Sequence, residues 1–343
     1  MDIGDRKKTI LSAIVKDYIQ TGEPVGSRTI AKKYDIGYSS ATIRNEMADL
    51  EELGLIMQPH TSAGRIPSDK GYRYYVDKLM EVGSPTVDEI QLIKEYMQLA
   101  TINEVDKLIR RTAKLISEVT NYTAAIITPS VNNSVILSLK LIPVNDLEIV
   151  AVVVTDMAQI QNIMIRLPKP ISPSTLKEIN NMLNEKLCGL TIDEINLSVI
   201  SSIQEGLSGY NEILNSIIPL LYESLKSDQQ KLYMSGASNI FSHSEYNDVG
   251  KAREFLSLVE DSDTMQKILN QGIGQIEISI GDENDIEEVK NYSIIKSTYS
   301  INHKPVGSIG VIGPKRMNYS RVMGILKCFT DVLNDVLKTT YED

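Results

Sequence analysis

The sequence predicts an α+β chain that begins with a winged helix-turn-helix and continues as a mixed sheet interrupted by a helical insertion. Three observations carry this. Residues 1 to 80 hold three short helical periods followed by a hairpin of small residues. Downstream, β-branched runs punctuated by Asn, Asp and Pro fall into two groups. Between the groups, Pro168, Pro170 and Pro173 break the chain ahead of a helical stretch, roughly Thr175 to Leu225.

The first helix lies in "RKKTILSAIVKDYIQTG", where Leu11, Ile14, Val15 and Tyr18 share one face and Gly22 closes it. In "PVGSRTIAKKYDIG", Ser27 reads as the cap of a two-turn helix ending near Tyr34, with Gly37 in the turn beyond. The third helix is "SSATIRNEMADLEELGLI", Ser39 to Ile56. Ile43, Met47, Leu50 and Leu53 point inward, and either Ser39 or Ser40 is the cap. Ser40, Ala41, Arg44, Asn45 and Ala48 then face outward, and Gly54 ends the helix.

That outward face has the chemistry of base reading. The first turns of a recognition helix approach the base edges, so bulk is excluded and hydrogen-bonding groups are favoured. Arg44 can bond guanine, Asn45 can bond adenine, and the methyls of Ala41 or Thr42 can meet a thymine methyl. Ser39 and Ser40 complete the front. Asp49, Glu51 and Glu52 repel phosphate and belong at the end that leaves the groove. Taken alone, such a helix reads equally as an ordinary polar surface.

The segment that follows tips the balance. "LIMQPHTSAGRIPSDKGYRYYVD" starts as a strand, turns at "TSAG" and returns through Arg65, Ile66 and Pro67. Ser68 then caps a helix carrying Tyr72, Tyr75, Val76 and Leu79. Arg65 near the hairpin tip suits the minor groove or its phosphates. His60 either touches phosphate or closes a local turn.

Charge supports a local nucleic-acid surface on an acidic chain. The 343 residues carry a net charge of −10. Residues 1 to 80 hold 12 Lys/Arg and 11 Asp/Glu, so the acidity lies elsewhere. Between Arg28 and Arg44 the basic residues Arg28, Lys32, Lys33 and Arg44 face a single acid, Asp35. The start "MDIGDRKK" has no apolar signal core, and the aliphatic run "IVAVVV" is far below the roughly 20 residues of a membrane helix. A cytoplasmic protein without membrane contact is expected. Cys188 and Cys328 read as buried free thiols.

The third helix and hairpin, with "QPHTSAGRIPSDKGYR" after "SSATIRNEMADLEELGLI", resemble the signature of the HrcA family, bacterial heat-inducible transcription repressors. "VGSIGVIGPKRMNYSRV", Val306 to Val322, is similar to that family's C-terminal motif. The resemblance implies a GAF-like sensor-type domain interrupted by an inserted dimerisation domain. The expected boundaries are 1–82 for the winged helix, 83–120 for a helical linker, 121–168 with 236–343 for the GAF-like part, and 169–235 for the insertion. It also implies a homodimer on an inverted-repeat DNA operator (the CIRCE element), released on heat stress, nucleoid-associated when bound and supported by the chaperonin GroEL. No cofactor is implied.

Enzyme chemistry finds no constellation. His60, His243 and His303 have no metal-sharing spacing. "GIG" at Gly272 to Gly274 lacks the third glycine of a dinucleotide loop and reads as a turn. "GPKRMNYS" has no Walker A spacing, so Lys315 and Arg316 read as solvated. The acidic run Asp282, Glu283, Asp285, Glu287 and Glu288 lacks EF-hand order and reads as a solvated loop. The competing function is a winged-helix regulator whose sensor domain takes a small metabolite; a protein-interaction scaffold is a third.

Overall fold

The structure is a computed structural model that describes residues 3–61, 63–98, 105–128, 135–156, 160–206, 209–227, 231–270, 276–301 and 304–341. The "GIG" turn and His303 lie outside the described residues. The chain divides into two compact units, one built from 1–128 with 232–340 and the other mainly from 129–231.

The first unit opens with α1 (Asp5–Thr21), whose buried face holds Leu11, Ile14 and Val15 as the period demands. Tyr18 is half-buried, and Gly22 ends the helix at φ 70°. Helix α2 (Ser27–Lys33) starts after an extended Gly26 and has no side-chain cap. Ser27 is therefore the first helical residue rather than the expected cap, because a cap needs non-helical backbone. Helix α3 (Ser40–Glu52) buries Ile43, Met47 and Leu50. Strand β1 (Ile56–Met57) pairs antiparallel with β2 (Ile66–Pro67), and a bridge between Val25 and Arg65 ties the hairpin to the start of α2. Ser68 caps α4 (Asp69–Tyr74) by accepting from the Gly71 N–H at 3.0 Å, and the last turn, Tyr75–Leu79, widens to π geometry.

Two helices follow, α5 (Val87–Gln98) and α6 (Val105–Thr120). The expected linker is thus partly body: α6 buries Leu108, Ile109, Leu115 and Ile116 and packs on β3 (Thr123–Ile127).

The second unit holds β4 (Ile136–Asn145), β5 (Glu148–Thr155) and β6 (Ile160–Arg166) in an antiparallel sheet of that order. It continues with α7 (Pro173–Leu187), α8 (Leu197–Gly206) and α9 (Asn211–Ser227). Ile149, Ala151 and Val153 of β5 point into a core shared with Ile179, Leu183 and Leu214 of the helices. Helix α7 covers the β4 edge: Asn180 and Asn184 accept from the Leu141 and Leu139 N–H groups at 2.8 and 3.0 Å. The insertion was expected to be helical and to begin at 169. Three strands expected in the sensor-type sheet form a separate sheet in the second unit instead, because strand composition does not say which sheet a strand joins.

The first unit resumes with β7 (Leu232–Ser235), α10 (Val249–Glu260), α11 (Ser262–Asn270), β8 (Glu277–Ile280), β9 (Tyr292–Ile301), β10 (Lys304–Pro314) and α12 (Tyr319–Tyr341). Its antiparallel sheet runs β7-β3-β10-β9-β8. Phe255, Met265 and Leu269 of α10 and α11 pack over Ile127, Ile294 and Ile312 on one face. On the other, Tyr319 and Thr330 of α12 bond Ser293 and Ser297 at 2.7 and 3.0 Å.

This sheet body is bolted to the winged helix by charges expected to be solvated. Lys315 reaches Asp69 at 2.7 Å. Arg316 pairs with Glu245 and donates to the Ile19 carbonyl at 3.1 Å. Glu283, from the acidic run, holds Arg73. Sequence reading missed these because each pair joins segments tens to hundreds of residues apart. Cys188 and Cys328 are free thiols, half-buried rather than buried. No described helix is long and apolar enough to cross a membrane.

Candidate nucleic-acid interface

Ser39 is the cap of α3: its hydroxyl accepts from the Thr42 N–H at 3.1 Å and pairs with the Thr42 hydroxyl at 2.9 Å. Both hydroxyls are thus engaged locally, and they fix the helix start more than they offer free donors. Ser40 is partly exposed as the first helical residue. Ala41, Arg44, Asn45 and Ala48 form an exposed strip down the helix. Neither Arg44 nor Asn45 has a side-chain partner among the described residues, so both are free to bond an incoming base edge.

The acidic back of the helix is neutralised from α1. Glu46 meets Arg6 at 3.1 Å and Lys7 at 2.9 Å, and Lys7 also reaches Asp49 at 2.9 Å. The Lys7 hydrogen bond, helped by Arg6 and opposed by burial, holds the Glu46 carboxyl below its usual range. Arg6 also lies 4.9 Å over the Tyr38 ring. These partners were not legible in the sequence, since Arg6 and Lys7 lie about 40 residues from the helix they serve.

The basic residues of α2 divide. Arg28 and Lys32 are exposed and unpaired among the described residues. Lys33 is committed to the fold: its ammonium donates to the buried Asp17 carboxylate at 2.5 Å and to Gln20 at 3.4 Å. That bond raises the Lys33 pKa above its ordinary value. Lys33 thus also ties α2 to α1.

In the wing, Arg65 is half-buried and donates from Nε to Glu51 at 3.0 Å. His60 is exposed, and its backbone carbonyl, not its ring, accepts from the Ala63 N–H at 2.9 Å. Gln58, unmarked by sequence reading, braces the turn by donating to the Thr61 and Ala63 carbonyls at 2.9 and 3.1 Å. Gly64 is required here, because a Cβ would sit 2.6 Å from the Val25 backbone.

Three elements converge on one cleft of about 650 Å³, lined by Arg28 from α2, Arg44 from α3 and Arg65 from the wing, with Gln58 and Thr61 at its side. No carboxylate is among its lining residues. Arg28 and Arg44 are unpaired among the described residues, whereas Arg65 is paired with Glu51. Two free guanidiniums beside an open concavity suit a phosphate backbone, with the α3 strip beside them for base edges.

Comparison with known proteins agrees with this geometry. Residues 2–78 match the family "Winged helix-turn-helix transcription repressor, HrcA DNA-binding", and residues 106–323 match "HrcA protein C terminal domain". The chain is 48% identical over 339 residues to the heat-inducible transcription repressor HrcA of Clostridium botulinum (strain Eklund 17B / Type B), covering 98% of each. It is 47% identical over 338 residues to that of Clostridium perfringens (strain 13 / Type A), covering 98% of this chain and 99% of the relative. A crystal structure of a hypothetical protein superposes with a TM-score of 0.62 at 25% identity, covering 99% of this chain and 100% of that one.

Proposed function

The chain belongs to the HrcA family, and on that footing we propose that it is a heat-inducible transcription repressor that grips an inverted-repeat operator. The observation that carries this is the cleft edged by the unpaired Arg28 and Arg44, with Arg65 beside them on Glu51, next to the exposed Ala41-Arg44-Asn45 strip. Arg44 and Asn45 read base edges, with Ala41 as an apolar contact. Arg28, Lys32 and Arg65 hold phosphate. Ser39, Ser40 and Thr42 set the helix start, and His60 stands at the wing.

An inverted repeat, the CIRCE element in this family, requires a two-fold dimer. The three-stranded sheet of the second unit supports a second copy as the occupant of its outer face. Ile142, Ile160 and Met164 are 47%, 65% and 61% exposed there, around the half-buried Val150, Val152 and Val154. Register puts Ile142, Val150 and Met164 in one apolar row, with Val154 and Ile160 in a further row beyond one carrying Lys140 and Asn162. The five-stranded sheet body is the GAF-like part. Heat shifts the population toward a partly unfolded, non-binding form that GroEL returns to the active dimer. The protein acts in the cytoplasm, on the nucleoid when bound, without a cofactor.

The space against the sheet beside Lys296 and Asn284 is about 20 Å³ and fits little more than one water, so that spot does not hold a metabolite. A mobility shift with an inverted-repeat duplex and a scrambled control, at two salt concentrations, tests the proposal. Specific binding that weakens steeply with salt is expected. Equal binding to both duplexes would reject it.

A further inference from the structure

A second cleft lies in the first unit, between the winged helix and the sheet body, with a volume of about 460 Å³. That is within the size of small-molecule sites. Its lining includes Tyr72, 2% exposed, whose hydroxyl has no hydrogen-bond partner among the described residues. An orphaned buried hydroxyl is costly unless something bonds it. Tyr246 and Tyr292 supply an aromatic wall, their rings 6.1 Å apart and 15° from parallel. Met57 and Pro67 of the winged helix face the same space.

Charge narrows the occupant. Of the ionic residues lining the cleft, Lys315 is committed to Asp69 and Arg316 to Glu245. Lys251 and Glu254, three residues apart on α10, remain without side-chain partners among the described residues. One free cation and one free anion, an apolar wall and an unsatisfied hydroxyl form a complementary set. We propose that this cleft binds a small zwitterion with an apolar body, of the aromatic α-amino acid class. Its carboxylate meets Lys251, its ammonium meets Glu254, its ring lies on Tyr246 and Tyr292, and Tyr72 bonds a polar atom.

Such a ligand touches both the winged helix and the sheet body, so it stabilises the arrangement that joins them. Binding at the cleft and at the operator are then linked by one reciprocal factor. This rests on the repressor reading only for that linkage; the site itself does not depend on it.

The test uses the full chain with L-phenylalanine and L-tyrosine into the millimolar range, and with benzoate and phenethylamine as single-charge probes. At saturation the amino acids are expected to raise the melting temperature by about 2 °C or more and to give a calorimetric isotherm. The single-charge probes are expected to do neither. Tyr72→Phe is expected to weaken binding about fivefold to tenfold, the loss of one hydrogen bond. The double variant Lys251→Ala/Glu254→Ala, at exposed positions that leave the fold intact, is expected to abolish it. No response to either amino acid, benzoate binding as well as phenylalanine, or unaltered binding in both variants would overturn the proposal. Operator binding without probe is measured on the same samples, so failure of the cleft and failure of the repressor reading are told apart.

Discussion

Arg73 and Glu283 meet across 210 residues of sequence: Arg73 Nε donates to Glu283 Oε1 at 2.7 Å, while Nη2 bonds the other carboxylate oxygen and the Ile278 carbonyl. With Lys315 to Asp69 and Arg316 to the Ile19 carbonyl, this pair bolts the reading head to the sheet body. Gly281 makes the approach possible, since a Cβ there would lie 1.9 Å from Asp69 Oδ2. The head is therefore carried on a fixed mount within this unit.

Removing the bolt should loosen the mount. Arg73→Ala is expected to cost about 1 to 2 kcal/mol, less than a fully buried pair because the two side chains are 29% and 34% exposed. Urea melts check this. A midpoint unchanged from the parent would show that the contact contributes nothing.

The α3 strip and the α2 cations should separate by specificity. Arg44→Ala or Asn45→Ala is expected to cost about 1 to 3 kcal/mol on the operator and to relax base preference. Lys32→Ala or Arg28→Ala is expected to weaken all duplexes alike and to lower the salt slope by about one. Titrations on matched and mutated operators decide, and a uniform loss from Arg44→Ala would reassign it to phosphate.

Lys33 should behave unlike its neighbour. Its substitution by Ala leaves the 4%-exposed Asp17 with only a long 3.4 Å bond from the Tyr34 hydroxyl. The expected result is a stability loss of about 1 to 3 kcal/mol with little change in salt slope. A normal melt with a lowered slope would return Lys33 to the DNA-contacting set.

The outer sheet face should govern assembly. Ile160→Asp with Met164→Asp places charges on two separate apolar rows of this face and is expected to give a monomer by sedimentation. The same variant should lose most affinity for the full operator yet keep binding to a half-site. A dimer that survives both charges would move the interface elsewhere.

Acid should weaken the joint through His243. Burial, then the nearby Arg316, pushes this histidine below its ordinary value of 6.5; its ring stacks on Tyr122 at 5.2 Å. The unfolded chain then takes up a proton first. The stability contributed by the neutral ring is full above pH 6.5 and is lost as pH falls toward the lower folded value. Burial, the largest single influence, pushes the Glu245 carboxyl up, but the Arg316 bond, a backbone hydrogen bond and the nearby positive charge together hold it below the usual range. Its contribution is full above the ordinary carboxylate value and lost further into acid. His243→Phe keeps an aromatic ring there and should flatten the fall in melting temperature between about pH 7.5 and pH 5.5. Parallel curves for parent and variant would show that His243 does not titrate in that window.

Much of the reading head was legible because its signals are local. The Ile43-Met47-Leu50 period, the Gly54 stop and the Ser68 cap each act within a few residues, where propensity and capping decide conformation. The Arg44 and Asn45 positions followed from that period alone. The Ser27 cap was misplaced by one residue, since an extended Gly26 served equally well.

What failed was anything decided by distant partners. The tie from Lys33 to Asp17 was not foreseen because Asp17 lies on another helix. Lys315, Arg316 and Glu283 were taken for solvated charges because their partners lie in other segments. The strands β4 to β6 were assigned to the wrong sheet because β-branched alternation specifies a strand but not its neighbours. Sequence by itself determined the helices, the hairpin and the chemistry of the exposed α3 face, all set by contacts within a few residues. Tertiary structure alone decided which charges stay unpaired and which bolt the head in place, because a charge's role depends on the partner that folding brings within hydrogen-bond reach.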